Sequence, residues 1–329
     1  MKKILVTGGA GFIGSNFIRY MLGEYPDYRI VNLDKLTYAG SQENLKDARN
    51  NPRYKFIKGD ICDVEVVNRA VAGCDIIVNF AAESHVDRSI TNAAEFVRTN
   101  VMGTHVLLET ARKQAVSLFC QISTDEVYGS RREGFFEETD LLNPSSPYSA
   151  SKAGADHLVY SYYITYHLPV RIVRPSNNFG PYQFPEKIIP LFIVNILNGK
   201  KVPVYGDGQN VRDWLYVLDN CRAIDVILHK GRTGEIYNVG GKNEIRTIDL
   251  VRGILKVMNK TEDIIEFVQD RPGHDRRYAL TSSKIERLGW RPQYNFEQAL
   301  RGAIEWYCHN QDWRKDVKRE SEEMQEKCA

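Results

Sequence analysis

Residues 3–14 read KILVTGGAGFIG. The β-branched run Lys3–Thr7 has the pattern of a buried parallel strand, and a helical pattern takes over at Phe12. Between them Gly8, Gly11 and Gly14 are spaced G-x-x-G-x-x-G. Gly8 permits a tight turn, Gly11 lets the backbone approach a pyrophosphate, and Gly14 lets the helix pack closely on the strand. The helix start then offers free N–H groups and a positive dipole end to phosphate. A second strand is expected over Arg29–Leu33, ending in Asp34, which lies 20 residues beyond Gly14. An acid there binds the adenosine ribose hydroxyls and repels a 2′-phosphate, so NAD is expected rather than NADP. Taken alone, Asp34 serves equally well as a helix cap.

Further strands follow at intervals. Tyr54–Lys58 runs into Gly59-Asp60-Ile61, where Asp60 either caps the next helix or bonds the adenine amine. Asp75–Phe80 runs into Ala81, Ala82, Glu83, Ser84 and His85. The small alanines permit close approach of a cofactor, and a lone His in such a polar loop reads as structural. Residues 93–114 have the pattern of one long helix, with Phe96, Val97, Val101, Leu107, Leu108 and Ala111 as its apolar face. Thr99 and Asn100 interrupt that face and are expected to look toward the cofactor. This alternation predicts an α/β fold, a Rossmann-type doubly wound parallel sheet. Ligands of such sheets lie beyond the carboxyl ends of the strands. The strand beginning at Leu118 ends in Ser123-Thr124-Asp125-Glu126, which places two adjacent carboxyl groups at the ligand.

A helix beginning near Pro147 carries Tyr148 and Lys152, four residues apart and on one face. A free tyrosine titrates near 10 and is a poor base at neutral pH. A neighbouring ammonium favours the phenolate, which can take a hydroxyl proton while hydride leaves the same carbon for a nicotinamide. The plainer alternative is a tyrosine anchored by its hydroxyl on an amphipathic helix.

After Arg174 the chain is broken by Pro175, Gly180, Pro181, Pro185 and Pro190 and is expected to leave the first domain. Asn177 and Asn178 suit contacts to sugar or nicotinamide. Arg212 suits a diphosphate, because its planar fork binds phosphate oxygens in pairs; a surface ion pair is the alternative. A helix over Val217–Lys230 and a strand over Glu235–Val239 return to the first domain. The apolar stripe of a helix at Thr247–Met258 reads as core, and Tyr294–Tyr307 reads as a closing helix. Arg314–Lys327 is charge-dense with mixed sign and reads as an exposed tail or fraying helix. The expected division is a cofactor domain at 1–174 plus about 212–240, and a smaller C-terminal α/β substrate-binding domain at about 175–211 plus 241–329.

The whole chain has 329 residues, 43% hydrophobic and 26% charged, with a net charge of +2 and no basic block. That leaves no reason to expect nucleic acid as a partner. The start lacks a signal-peptide apolar run, and no stretch approaches the roughly 20 apolar residues of a membrane span. The cysteines at 62, 74, 120, 221, 308 and 328 form no CxxC pair and none has a His at metal-ligand spacing. They suit reduced thiols of a cytoplasmic protein without a metal site.

GGAGFIG, STDEVYG and Tyr148-x-x-x-Lys152 together resemble the extended short-chain dehydrogenase/reductase family. DKLTYAG (34–40), AAESHVDRSI (81–90), RPSNNFGPYQFPEK (174–187), YGDGQNVRDWLYV (205–217) and DRPGHDRRYAL (270–280) are similar to its branch of dehydratases acting on dTDP-glucose. The likeness covers nearly the whole chain. It implies oxidation of the hexose at C4, loss of water across C5–C6, and hydride return to C6, with NAD unchanged overall. It implies Glu126 as the base at C5, Asp125 as the acid at the C6 hydroxyl, and Thr124 as a hydrogen-bond partner of the C4 oxygen that also positions Tyr148. Phe12, Ile13, Lys35, Thr37, Asp60, Ile61, Ala81, Ala82, Ser84, Thr99, Tyr148, Lys152 and Asn178 join the glycines and Asp34 as expected cofactor contacts. Ser84, Thr124, Asn177, Lys187, Arg212, Asn243, Arg271 and His274 are the expected substrate contacts, the last two at the second phosphate and nucleoside. A homodimer through helices 93–114 and 148–167 is also implied. Sugar 4-epimerases share the fold but generally lack the carboxyl pair; a non-catalytic NAD-binding scaffold would be expected to have a spoiled site.

Overall fold

The computed structural model describes residues 2–328, with side chains through residue 320. Twelve strands can be traced in it: β1 Lys3–Thr7, β2 Arg29–Asp34, β3 Tyr54–Lys58, β4 Ile76–Asn79, β5 Leu118–Ile122, β6 Val170–Pro175, β7 Asn177–Phe179, β8 Val202–Tyr205, β9 Val211–Tyr216, β10 Glu235–Val239, β11 Glu244–Arg246 and β12 Ile265–Val268. Seven form one sheet in the order β10-β6-β5-β4-β1-β2-β3, and every pairing in it is parallel. The near-continuous apolar runs in β1, β4 and β5 are those of strands covered on both faces. One face is covered by Phe17, Ile18 and Met21 of helix Phe12–Glu24 with Ile224 and Ile227 of helix Val217–Lys230. The other is covered by Leu107, Leu108 and Ala111 with Val159 and Tyr162. Burying each such side chain contributes roughly 1.5–3 kcal/mol before ordering costs.

The strand order reverses at β1, whose two neighbours are β2 and β4. The crevice beyond the carboxyl ends of β1 and β4 is therefore where such a sheet binds its ligand. Two smaller sheets, β11-β9-β7 and β12-β8, belong to the rest of the chain. They enclose a separate apolar core with Phe192, Trp214, Ile254 and Tyr307 at its centre.

Three expectations are corrected here. The helical run at 93–114 is not one regular helix: Ala93–Phe96 passes into a π-helical stretch, Val97–Gly103, before Thr104–Lys113 resumes α geometry. A π turn inserts a residue and rotates the following face. Phe96, Leu107, Leu108 and Ala111 are accordingly buried while Val97 is 51% exposed. The helix after β3 is capped by Asp63, whose carboxylate accepts from the Glu65 and Val66 N–H groups, and not by Asp60. Phe296–His309 is followed by a further helix, Gln311–Cys328, which holds the charge-dense stretch at 314–327. Trp313 and Val317 of that helix are buried, and Trp313 Nε1 donates to Asn44 Oδ1 at 2.7 Å. These anchors are spaced too widely among charges to mark a core helix by pattern. The Cys328 side chain lies outside the described residues.

At the amino-terminal end of the central sheet, Asp225 accepts hydrogen bonds from Tyr20 and Tyr25 and lies 2.7 Å from His229 Nδ1. His229 Nε2 lies 2.7 Å from the Tyr28 hydroxyl. The hydrogen bond to Asp225 holds the imidazolium above its usual range. A group raised on folding stabilises the protein fully below its unfolded value, near 6.5, and that stabilisation is lost as pH rises through the folded value. Thermal melting between about pH 6 and 8 should therefore show a falling midpoint to which His229 contributes, and His229→Gln should flatten the slope. A slope identical in the variant would exclude this linkage.

Candidate active site

The glycine turn builds the floor of the crevice. Gly8 sits at φ +67°, and a Cβ there would lie 2.6 Å from the Ala81 nitrogen at the end of β4. A Cβ on Gly14 would lie 2.5 Å from the Gly8 carbonyl oxygen. Both positions therefore exclude side chains, which leaves the backbone bare toward the space above. Asp34 ends β2 in that space. Its carboxylate accepts from Ala10 N–H and Leu36 N–H, both at 2.8 Å, which fixes the glycine turn to the acid. Asp60 is held at 3.0 Å from both Lys35 Nζ and Arg98 Nη2, and it too lines the crevice. This cradle fits a dinucleotide: a bare turn for the pyrophosphate, the start of helix Phe12–Glu24 beside it, and acids at the ends of β2 and β3.

One continuous cleft is lined by Gly8, Gly11, Phe12, Ile13, Gly14, Asp34, Lys35, Thr37, Asp60, Ile61, Ala81, Ala82, Ser84 and Thr99. The same cleft reaches Thr124, Asp125, Glu126, Tyr148, Lys152, Asn177, Asn178 and Lys187. Helix Pro147–Tyr166 presents Tyr148 and Lys152 because its start is fixed. The Ser146 hydroxyl accepts from Ser149 N–H, the Ser149 hydroxyl accepts from Ser146 N–H, and Pro147 occupies the first turn. Beyond β5, Thr124 caps a 3₁₀ turn, Asp125–Tyr128, by accepting from Glu126 N–H. Two carboxyl groups are thereby folded back beside the phenol.

Their environments differ. Burial and then the Glu126 charge push the Asp125 carboxyl well above its usual range, and Asp213 adds to the effect. One Asp125 oxygen takes the Thr124 hydroxyl at 3.2 Å, and the other is buried without a partner. Glu126 is raised by burial, but Arg271, Arg212 and Lys187 all oppose that rise. A carboxyl raised well above its usual range beside one faced by three cations suits a pairing of acid with base.

Tyr148 does not behave as its spacing to Lys152 suggests. Burial pushes the phenol above its ordinary value, the Glu126 charge adds to this, and the Thr124 hydroxyl opposes it. Lys152 is itself buried, and burial pulls it down to about 8 against the opposing charge of Asp156. Its ammonium donates to the Ile122 carbonyl at 2.6 Å.

Four expected substrate contacts lie outside the lining of this cleft. Arg212 is buried and not a surface ion pair: it donates to the Val211 and Asp275 carbonyls and stacks 4.2 Å over the Tyr278 ring. Arg271 has an unpartnered buried Nε and lies 3.5 Å from Asp87, while His274 Nδ1 lies 2.6 Å from Asp270. The charges of Arg212 and Arg271 nevertheless act on Glu126, so both are close to the carboxyl pair. Asn243 lies apart from this cleft. Its amide donates to the Trp214 and Gly241 carbonyls and its backbone N–H to Asp213, which holds β9 to the loop after β10. Asn178 is likewise engaged, between the Ser176 carbonyl and Asn220, whereas the Asn177 oxygen is buried and unpartnered. His85 caps helix Val86–Thr91, as a structural His should.

The cleft also contains groups that spacing does not single out. Glu186 is buried with Arg88 Nη2 at 3.5 Å and His85 Nε2 at 3.8 Å from its Oε2; burial raises that carboxyl, and Lys187 and Arg88 oppose the rise. Glu83 is held by Asn100, whose side chain bridges the Glu83 N–H and carbonyl and the Ser151 hydroxyl. Among the described residues no three His, Cys, Asp or Glu side chains are grouped to hold a metal ion, and no helix is long and apolar enough to cross a membrane.

Residues 5–303 match the family model described as GDP-mannose 4,6 dehydratase. The low-salt glycan biosynthesis protein Agl12 of Haloferax volcanii is 54% identical over 304 residues, 92% of this chain and 98% of that protein. A dTDP-glucose 4,6-dehydratase of Streptomyces niveus is 49% identical over 321 residues, 96% of each chain. A crystal structure of a dTDP-glucose 4,6-dehydratase from Streptomyces venezuelae with NAD bound superposes with a TM-score of 0.94 at 48% identity, covering 96% of this chain and 100% of that one.

Proposed function

The chain belongs to the GDP-mannose 4,6 dehydratase family of extended short-chain dehydrogenases/reductases, and from that membership we propose that it dehydrates dTDP-glucose to dTDP-4-keto-6-deoxyglucose with NAD as resident cofactor. The observation that carries this reading is the split carboxyl pair, Asp125 and Glu126, set beside Tyr148 in the dinucleotide cleft. A sugar 4-epimerase needs hydride transfer and a base at C4 but no acid/base pair at C5 and C6.

Bound NAD takes hydride from C4 and gives it back at C6. Gly8, Gly11 and the start of helix Phe12–Glu24 would hold its pyrophosphate, and Asp34 its ribose. Tyr148 takes the C4 hydroxyl proton, and Thr124 bonds the same oxygen. The new C4 ketone acidifies the C5 hydrogen, which Glu126 removes. Asp125 gives its proton to the C6 hydroxyl, which leaves as water. The C5 position then regains a proton as hydride returns to C6, so one water is lost and no net oxidation occurs. Lys187, Arg212 and Arg271 supply positive charge for the diphosphate, and Arg271 and His274 would meet the second phosphate and the nucleoside. The substrate would lie between a cofactor unit at 1–174 plus about 217–240 and a second unit at about 175–216 plus 241–329; the pairing of β9, Val211–Tyr216, with β7 and β11 favours a return to the first unit after that strand and not at the expected 212.

A homodimer through 93–114 and 148–167 fits the exposed apolar side chains there: Met102, Tyr160, Ile164 and Tyr166, with Val97 on the π stretch. We place the reaction in the cytoplasm, in keeping with free thiols at Cys62, Cys74, Cys120, Cys221 and Cys308.

The direct test is mass spectrometry of the purified protein incubated in deuterated water with dTDP-, UDP- and GDP-linked glucose in parallel. The expected product is dTDP-4-keto-6-deoxyglucose carrying one solvent deuterium. Dehydration only of a UDP- or GDP-sugar would reassign the substrate, and epimerisation without water loss would overturn the reaction.

A further inference from the structure

Behind the cleft lies a buried carboxylate that the reaction scheme does not use. Asp156 sits one turn after Lys152 on helix Pro147–Tyr166 and is 1% exposed. Its Oδ2 accepts two hydrogen bonds, from the Ser123 hydroxyl and from Arg174 Nε, each at 2.9 Å. Its Oδ1 is buried with no partner. Ser123 directly precedes Thr124, Asp125 and Glu126. Arg174 lies on β6, directly before Pro175–Asn178, which line the cleft. Arg174 is fixed in turn: its Nη1 donates to the Tyr128 hydroxyl, which donates to Asn238 on β10.

A core ion pair is costly to desolvate and seldom adds stability over an apolar replacement. This one stands where three pieces of the site meet: the helix with Tyr148 and Lys152, the strand end with the carboxyl pair, and the β6 end with the asparagines.

We propose that Asp156 is a positioning residue for the reaction: its carboxylate ties the catalytic helix to the ends of β5 and β6 and serves as the counter-charge of Lys152. The groups around Lys152 support that assignment. On its own helix it has Tyr148 one turn before and Asp156 one turn after. From β5 come the Ile122 carbonyl, which takes the ammonium, and the turn bearing Asp125 and Glu126. From β6, Arg174 is turned onto Asp156 and neutralises part of its charge. Asp156 opposes the effect of burial on Lys152, and it also acts on the phenol of Tyr148, raising it. Removing its charge therefore makes the ammonium easier to deprotonate and the phenolate easier to form.

The inference rests on the roles given above to Tyr148 and Lys152, and the test separates the two. Reduction of bound NAD by dTDP-glucose is followed across pH in the parent and in Asp156→Asn, which keeps shape and loses charge. The parent rate should fall on the alkaline side as Lys152 loses its proton. In D156N that limb should move to lower pH by about one unit, with KM for dTDP-glucose little changed. A parent without an alkaline limb would overturn the role of Lys152 and this proposal with it. A parent limb that D156N scales uniformly without moving would overturn the proposal alone. Because D156N leaves Arg174 buried without its counter-charge, Ser123→Ala supplies a second reading in a folded protein with the ion pair intact. It should lower kcat severalfold at unchanged KM and NAD content, and kinetics equal to the parent would contradict the tie.

Discussion

The double substitution Asp125→Asn with Glu126→Gln should lower the rate of water loss by at least about a thousandfold while leaving bound NAD reducible by dTDP-glucose. Each change keeps the size of the side chain and removes its ability to exchange a proton. General acid or base catalysis at a positioned group contributes roughly 10²- to 10⁴-fold, and two groups acting on one elimination do not add. Oxidation at C4 requires neither carboxyl, so reduced nicotinamide should accumulate, visible by its absorbance on mixing with substrate. Removing the Glu126 charge near Tyr148 also favours the phenolate, since that charge raises the phenol. The oxidative half-reaction should therefore persist at neutral pH. Dehydration at the parent rate would remove Asp125 and Glu126 from the chemistry.

Tyr148→Phe is expected to have the opposite signature. The phenol takes the C4 hydroxyl proton, so its loss should suppress cofactor reduction itself, by about 10²- to 10⁴-fold. No reduced nicotinamide should then build up, and water loss should fall in parallel because the C4 ketone that acidifies C5 is never formed. The ring packs edge-on to Phe96 with centroids 6.3 Å apart, and phenylalanine preserves that contact. The fold and NAD content should consequently match the parent. Reduced cofactor accumulating in Y148F as in the carboxyl variant would place the base elsewhere.

These two signatures rest on features that the sequence displays very unequally. The glycine turn was readable because Gly8 and Gly14 answer to local backbone geometry: one needs a left-handed φ and both stand where any Cβ collides. The order of strands and loops followed from short apolar runs separated by helical patterns, and Thr124, Asp125 and Glu126 could be placed simply by standing after a strand. What failed to show was whatever depends on burial or on partners distant in the chain. Lys152 four residues from Tyr148 suggests a lowered phenol, yet burial of both residues and the Glu126 charge reverse the direction. Arg212 and Asn243 were both legible as polar candidates for the substrate, but only packing shows that the charge of one acts on the carboxyl pair while the amide of the other donates to backbone carbonyls. Asp156 and Arg174 are 18 residues apart and meet only once β6 lies beside helix Pro147–Tyr166. The π stretch at Val97–Gly103 turns one expected core residue outward, and nothing in the apolar spacing announces the extra residue.

One cleft is expected to oxidise C4, eliminate water and return the same hydride to C6. The most direct measurement is to supply dTDP-glucose with deuterium at C4, in ordinary water, and locate the label in the product by mass spectrometry and NMR. The predicted result is a 4-keto-6-deoxy product whose C6 methyl carries the deuterium, with unlabelled NAD recovered from the protein. Label lost to solvent, or left on recovered NAD, would contradict hydride return within a single cleft.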